Sequence, residues 1–296
     1  AHSMSEWGPD YRPDSLEIGA LLAELRPPRV LACTATATPV VRDEILVRLG
    51  LGADTPQMLR GFARPNLALR ARHVASERER DRQVDAQLAE ALGVPGAGRG
   101  TAIVYAPTRR STEEEAARLV ANGWRAAGYH AGMTGETRTR AQRAFSDGDL
   151  EVVVATNAFG MGIDRPDVRA VVHLAPPGSV EAYYQEVGRA GRDGQEAFGL
   201  LLHSPGDLPL RRRLIEGGGG GGEPPRPEVV EHKWSLFLDL MRWAEGGSCR
   251  HDAILRYFGD EAETLAGCGR CDVCQRLAAG IESADAEETA IVVRKA

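Results

Sequence analysis

Lysine is almost missing from this chain: of 36 basic residues only Lys233 and Lys295 are lysines, and neither follows a glycine. A phosphate-binding loop of the G-x-x-x-x-G-K-[ST] type is therefore excluded from these residues. No apolar run approaches the length of a membrane span, and the first residues lack a basic-then-apolar leader, so a soluble cytoplasmic protein with no membrane partner is expected. A net charge of -6 argues against coating nucleic acid by charge alone. The basic residues nevertheless gather in the middle of the chain, between two acidic ends, and a local arginine-lined groove can still bind phosphate. Disulfides are also unsupported. The cysteines are Cys33, Cys249, Cys268, Cys271 and Cys274, an odd set crowded toward one end, which points to metal instead.

What is present is a pattern of short apolar runs alternating with helical segments. The runs at 101–105, 151–155, 170–174 and 198–202 are β-branched or leucine-rich and bounded by turn formers, so they read as buried parallel strands. Ser111 with Glu114 predicts a capping box for a helix reaching about Ala127, and Thr134 and Ser179 predict two further helix caps. The expected fold class is α/β: a doubly wound parallel sheet with flanking helices, followed by a small helical module. Earlier in the chain, 16–25 and 39–49 read as helices, the latter with Pro39 at its start, and 29–34 (RVLACT) reads as a strand. That stretch is too short for a sheet of its own and reads as the end of a domain that begins elsewhere. The glycine run 217–222 and the prolines after it predict a flexible linker. Beyond it, 228–245 and 250–258 have helical spacing.

Several residues carry chemistry. Arg189 and Arg192 lie three apart in YYQEVGRAGRDG (183–194), a spacing that predicts both guanidinium groups on one side of a helical turn, where they could clamp a transferring phosphate. Cys268, Cys271 and Cys274 are separated by two-residue gaps, and Cys249 precedes them by 19 positions. Such gaps let thiolates converge on one ion, and a fourth ligand from a preceding helix completes a tetrahedron, so structural Zn2+ is expected. An iron-sulfur cluster is the alternative, although Gln-Arg-Leu after Cys274 lacks its usual continuation. Cys33 reads as a small buried packing residue rather than a nucleophile.

These segments together resemble the motifs of superfamily 2 helicases in the version carried by the RecQ family. YYQEVGRAGRDG is similar to motif VI and VVVATNAFGMGIDRPDVRAVVH (152–173) to motif V. LACTATAT (31–38) resembles motif III, GFARPNL (61–67) the link between two motor domains, AIVYAPTRRSTEEEA (102–116) motif IV and GYHAGM (128–133) motif IVa. The cysteine region resembles the RecQ zinc-binding subdomain. Ala1-His2 resembles the last two letters of a DEAH box, and Trp7, Tyr11 and Arg12 fall in the aromatic loop that follows it, with Pro9 where that loop commonly has histidine.

The resemblance implies RecA-like motor domains. It divides the chain into 1–66, the C-terminal part of a first, truncated domain; 67–216, a second domain; 217–227, a linker; 228–278, the zinc module; and 279–296, a tail that could begin a winged-helix domain. It implies an arginine-finger role for Arg189 or Arg192, with Gln185 coupling nucleotide state to domain closure. It also places His2, Thr34, Thr36, Gly162 and Asp164 in the ATP cleft or its coupling to DNA, and Trp7, Tyr11, Arg12, Thr156 and Asn157 on DNA. For Asp164 and Gln185, ordinary hydrogen bonding within the domain is the alternative, and for the Trp-Gly-Pro segment a packed surface turn.

The function so implied is part of an ATP-dependent 3′ to 5′ DNA helicase of recombination and repair, in a bacterial-type cytoplasm and associated with the nucleoid. It would act on single strands and duplex junctions, with ATP and Mg2+ held in the complete enzyme. The missing motor half is expected in cis, with complementation in trans as the other possibility. A stand-alone, non-hydrolysing DNA-binding module is the alternative function.

Overall fold

The structure is a computed structural model that describes residues 14–34, 36–59, 61–159, 165–217 and 225–280. His2, Trp7, Tyr11, Arg12, Gly162 and Asp164, most of the glycine run and the tail beyond 280 lie outside the described residues. The chain divides into two compact units, one of residues 1–63 with 251–266 and the other of residues 64–250 with 267–296.

In the first unit, α1 (Asp14–Leu25) and α2 (Pro39–Arg48) meet through buried Ile45 and Leu49, with Leu22, Val41 and Leu51 packed against them. Pro39 stands in the first turn of α2, where its missing N–H costs nothing, and Thr38 accepts from the Val41 amide as the N-cap. Phe62 stacks on Phe258 with ring centres 4.8 Å apart. Arg42 donates to the Phe258 carbonyl, and Glu263 accepts from the amides of Gly61 and Ala63. The expected strand at 29–34 is not formed: the segment is irregular and exposed, so Cys33 is not the buried packing residue expected. A strand needs a neighbour to take its backbone hydrogen bonds, and none is offered there among the described residues.

The second unit is built on a six-stranded sheet of order β1-β6-β5-β2-β4-β3, in which every pairing is parallel. The strands are β1 (Leu67–His73), β2 (Thr101–Tyr105), β3 (Ala126–Tyr129), β4 (Val152–Ala155), β5 (Val168–His173) and β6 (Ala197–His203). All residues of β2, β4 and β6 are buried, as a parallel sheet covered on both faces requires. Helices α3 (Glu77–Leu92), α4 (Arg109–Ala121), α5 (Gly135–Asp147), α6 (Val180–Val187) and α7 (Asp207–Glu216) connect and flank the strands. Helix α8 (Pro227–Glu245), the start of α9 (Arg250–Tyr257) and α10 (Asp272–Ala278) follow.

Thr134 and Ser179 cap α5 and α6 as expected, accepting from the Thr137 and Ala182 amides. The cap of α4 differs. Thr108, not Ser111, is the N-cap, and the reciprocal pair is Thr108 with Ser111. Glu114 instead pairs with Arg110 on the helix surface. The helix stops at Ala121 rather than near Ala127, because Gly123 turns the chain with a φ of 93° and Ala126 already belongs to β3.

Gly199 marks where α6 lies closest to the sheet: a Cβ there would stand 2.4 Å from Val187 Cγ2 and 2.9 Å from Leu69 Cδ2. A Gly199→Ala substitution should therefore destabilise the protein by about 1–3 kcal/mol through overpacking, read as a lower midpoint in urea at unchanged slope.

Candidate functional site

The turn after α6 carries the arginines singled out in the sequence. The helix ends at Val187, so Arg189 and Arg192 are not on a helical turn as their spacing suggested. Gly188 caps the helix, Arg189 and Ala190 bond back to Glu186 and Val187 in tighter i→i+3 steps, and Gly191 takes a φ of 62°. Three outside groups hold this backbone. Arg64 donates to the carbonyls of Gly188 and Ala190, Asn66 donates to those of Gly191 and Gln195 at 2.8 Å each, and the Val168 carbonyl accepts from the Gly191 amide. Gly191 is required here, since a Cβ would stand 2.5 Å from Asn66 Nδ2. Arg64 and Asn66 sit in the GFARPNL segment, and sequence reasoning gave them no role. Arginine and asparagine side chains can substitute for missing backbone partners, but nothing in their spacing from residue 188 announces it.

Gln185 and Arg192 are exposed, and Arg189 is half-buried. Burial pushes the pKa of Tyr105, the last residue of β2, up; the Glu186 charge adds to the rise, and the charge of Arg189 opposes it. Tyr105 donates to the Phe159 carbonyl at 3.1 Å. Phe159 closes the turn that begins at Thr156, whose carbonyl accepts from the Phe159 amide; Thr156 is half-buried and Asn157 exposed. Tyr105 also stacks on His173, and His173 Nε2 lies 2.8 Å from Glu186. The turn at 156–159 and helix α6 thus meet one ring layer through Tyr105, His173 and Glu186. In the first unit, Thr36 is buried and Thr34 exposed.

The four cysteines converge. The sulfurs of Cys249, Cys268, Cys271 and Cys274 all lie within 4.8 Å of one another, and those of Cys268 and Cys274 are 3.9 Å apart. A tetrahedral zinc with bonds of about 2.3 Å requires sulfur separations of about 3.8 Å; the Cys268–Cys274 pair meets this and the rest of the set lies within small shifts of it. Backbone amides point at the sulfurs: Arg250 and Cys274 donate to Cys271, Cys271 to Cys268, and Cys268 to Cys249. The Cys268 hydrogen bond and the Arg250 and Cys274 amides hold the Cys271 thiol below its ordinary pKa against the effect of burial, while Cys268 and Cys274 are pushed up. All four positions are filled by protein, so the centre is structural.

Beside the cysteines lies an ion pair that the sequence did not disclose. Arg250 Nε and Asp272 Oδ1 are 2.9 Å apart, and both residues are about 3% exposed. Arg250 also donates to the carbonyls of Trp243 and Gly246 and lies over the Trp243 ring. Asp272 accepts from the Ala71 amide of edge strand β1 at 3.1 Å.

Comparison with known proteins fits this geometry. Residues 85–194 match the family model described as the helicase conserved C-terminal domain, and residues 205–275 match the one described as RecQ zinc-binding. The chain belongs to the RecQ family. It is 42% identical over 218 residues to the probable ATP-dependent DNA helicase RecS of Bacillus subtilis, covering 73% of this chain and 42% of that protein. It is 36% identical over 273 residues to the ATP-dependent DNA helicase RecQ of the same organism, covering 92% of this chain and 44% of the relative. The chain therefore spans less than half the length of these relatives. Among solved structures, Saccharomyces cerevisiae Dbp5 bound to RNA and ADP BeF3 shares the fold, with a TM-score of 0.51 and 18% identity over 79% of this chain and 61% of that one. Among the described residues no helix is long and apolar enough to cross a membrane.

Two outcomes follow from the RecQ zinc centre. The purified chain should carry about one zinc per molecule by elemental analysis, and Cys271→Ser should lose it. Asp272→Ala should cost about 3–5 kcal/mol by leaving Arg250 buried without its partner, whereas Arg110→Ala, at an exposed pair, should leave the melting temperature unchanged.

Proposed function

We propose that this chain supplies the second motor domain, the tail of the first and the zinc module of an ATP-dependent DNA helicase that moves 3′ to 5′ and serves recombination and repair at the nucleoid. The fixed backbone of the 188–191 turn supports this most. A turn clamped by Arg64 and Asn66 presents a guanidinium at low reorganisation cost, as stabilising the charge of a transferring phosphoryl group demands. In this reading Arg189 or Arg192 faces the γ-phosphate, Gln185 senses it, and Asp164 and Gly162 line the same cleft. Thr34 and Thr36 link hydrolysis to DNA movement. Thr156 and Asn157 contact the DNA backbone, and Trp7, Tyr11 and Arg12 contact unpaired bases, for which aromatic faces and a cation are the suitable chemistry.

ATP and Mg2+ would be held by a motor half that carries the P-loop, joined in cis or supplied in trans. The exposed apolar side chains of the first unit, Leu31 and Met58 at 88% each among them, fit a unit that packs against further polypeptide. The RecQ names of the relatives and the zinc centre favour DNA as the nucleic acid.

The purified 296-residue chain should bind fluorescent oligo-dT with an affinity that falls steeply with salt, and should hydrolyse no ATP with or without DNA. DNA-stimulated hydrolysis by this chain alone would contradict the division of labour. Absence of any oligo-dT binding would contradict the DNA reading. A P-loop-bearing half added in trans should restore hydrolysis, and Arg189→Ala should lower it by a factor of about 10³ or more.

A further inference from the structure

The arginine turn continues directly from α6, a helix of only eight residues. Val180, Tyr183 and Val187 bury its apolar face. Apolar burial is non-directional, so it presses the helix on the sheet without fixing its rotation. One buried contact on this helix does have direction. Glu186 Oε2 stands 2.8 Å from Nε2 of His173, the last residue of β5, and both residues are buried. The His173 ring is itself held between Tyr105, stacked at 5.2 Å, and Tyr183, tilted at 5.1 Å. Its Nδ1 is buried with no hydrogen-bond partner among the described residues. A carboxylate only accepts, so Nε2 carries the ring hydrogen, and a second one on Nδ1 would be enclosed with nothing to receive it. The surroundings therefore select the tautomer that donates to Glu186.

We propose that His173 and Glu186 are positioning residues for the arginine turn, setting the rotation of α6 and with it the place where the Arg189 backbone begins. Glu186 acts at both of its ends. Its carboxylate is tied to the end of β5, and its carbonyl accepts from the Arg189 amide at 3.3 Å. Arg64 and Asn66 hold the carbonyls of residues 188, 190, 191 and 195 from outside. Glu186 instead refers the amide of Arg189 to the sheet. Turning α6 about its axis would strand a buried carboxylate without its donor, which is costly, so the pair restricts the helix to one setting. The inference rests on the reading of Arg189 given above and deepens it by naming the groups that place the arginine.

The test uses the whole chain labelled with 15N. In the wild type the His173 ring should show a slowly exchanging hydrogen on Nε2; a ring with none there overturns the proposal. The backbone order parameter of Arg189 should be about 0.85 in the wild type and fall below about 0.6 in Glu186→Ala, with Val153 unchanged. Glu186→Gln, whose amide oxygen still accepts from His173, should keep Arg189 near the wild-type value. Equal order in the wild type and Glu186→Ala, or equal loss in Glu186→Ala and Glu186→Gln, overturns the proposal. Should Glu186→Ala fold poorly, His173→Phe keeps a ring in the layer, removes the donor and must lower the Arg189 value; an unchanged value there overturns it too. With a P-loop-bearing half added in trans, Glu186→Ala should lower kcat for ATP by about tenfold or more at unchanged KM. A kcat equal to that of the wild type contradicts the positioning role. If the wild-type pair hydrolyses no ATP, the helicase reading fails on its own account, and the order parameters still decide whether His173 and Glu186 place the turn.

Discussion

The buried pair of Arg250 and Asp272 is the contact on which the second unit depends. Two charges this deeply enclosed are stable only if every remaining donor and acceptor finds a partner. Here they do. Arg250 spends its donors on Asp272 and on the carbonyls of Trp243 and Gly246. Asp272 accepts from Ala71 in the sheet and from the Val273 amide in its own helix. Burial pushes the Asp272 pKa up, but Arg250, the Ala71 amide and Arg72 together hold it below the ordinary carboxylate value. The Arg250 amide meanwhile donates to Cys271. One ion pair thereby joins the metal centre, α8 and the open edge of β1, which would otherwise present unpaired amides.

From that pair a series of ring contacts runs to the sheet of the second unit. Arg250 lies over Trp243, Trp243 packs on Tyr183, Tyr183 on His173 and His173 on Tyr105, whose hydroxyl donates to the Phe159 carbonyl. The zinc module is therefore packed directly into the layer that carries the arginine turn. The RecQ pairing of a helicase C-terminal domain with a zinc-binding region has a physical basis in this chain, because the module supplies the covering of one sheet edge and one wall of the ring layer.

Much of this was legible in the sequence, and what was missed has identifiable causes. Apolar runs such as TAIVY appear as strands because burial on both faces leaves no room for polar residues, and the cysteine spacing already implied a tetrahedron. Strand β1 was overlooked because LALRARH carries two arginines. Arg70 lies over Phe198 and pairs with Glu90, while Arg72 reaches toward Asp272, so both satisfy their charge at the sheet edge. The strand expected at 29–34 had the right residues but no neighbour among the described residues. The capping box was assigned one turn late, since Thr108 and Ser111 form it while Glu114 only resembles its partner. Arg64 and Asn66 act across more than 120 positions and Asp272 reaches Ala71 across 201, and no local pattern encodes contacts at such separations.

Amide hydrogen exchange at Ala71, followed with zinc bound and after chelation, measures the connection between metal centre and sheet most directly. If Asp272 is held in place by Arg250 and the cysteines, removing the metal should release the Ala71 amide and accelerate its exchange, while Val153 in the sheet interior stays protected. Equal protection of Ala71 with and without zinc would contradict the account.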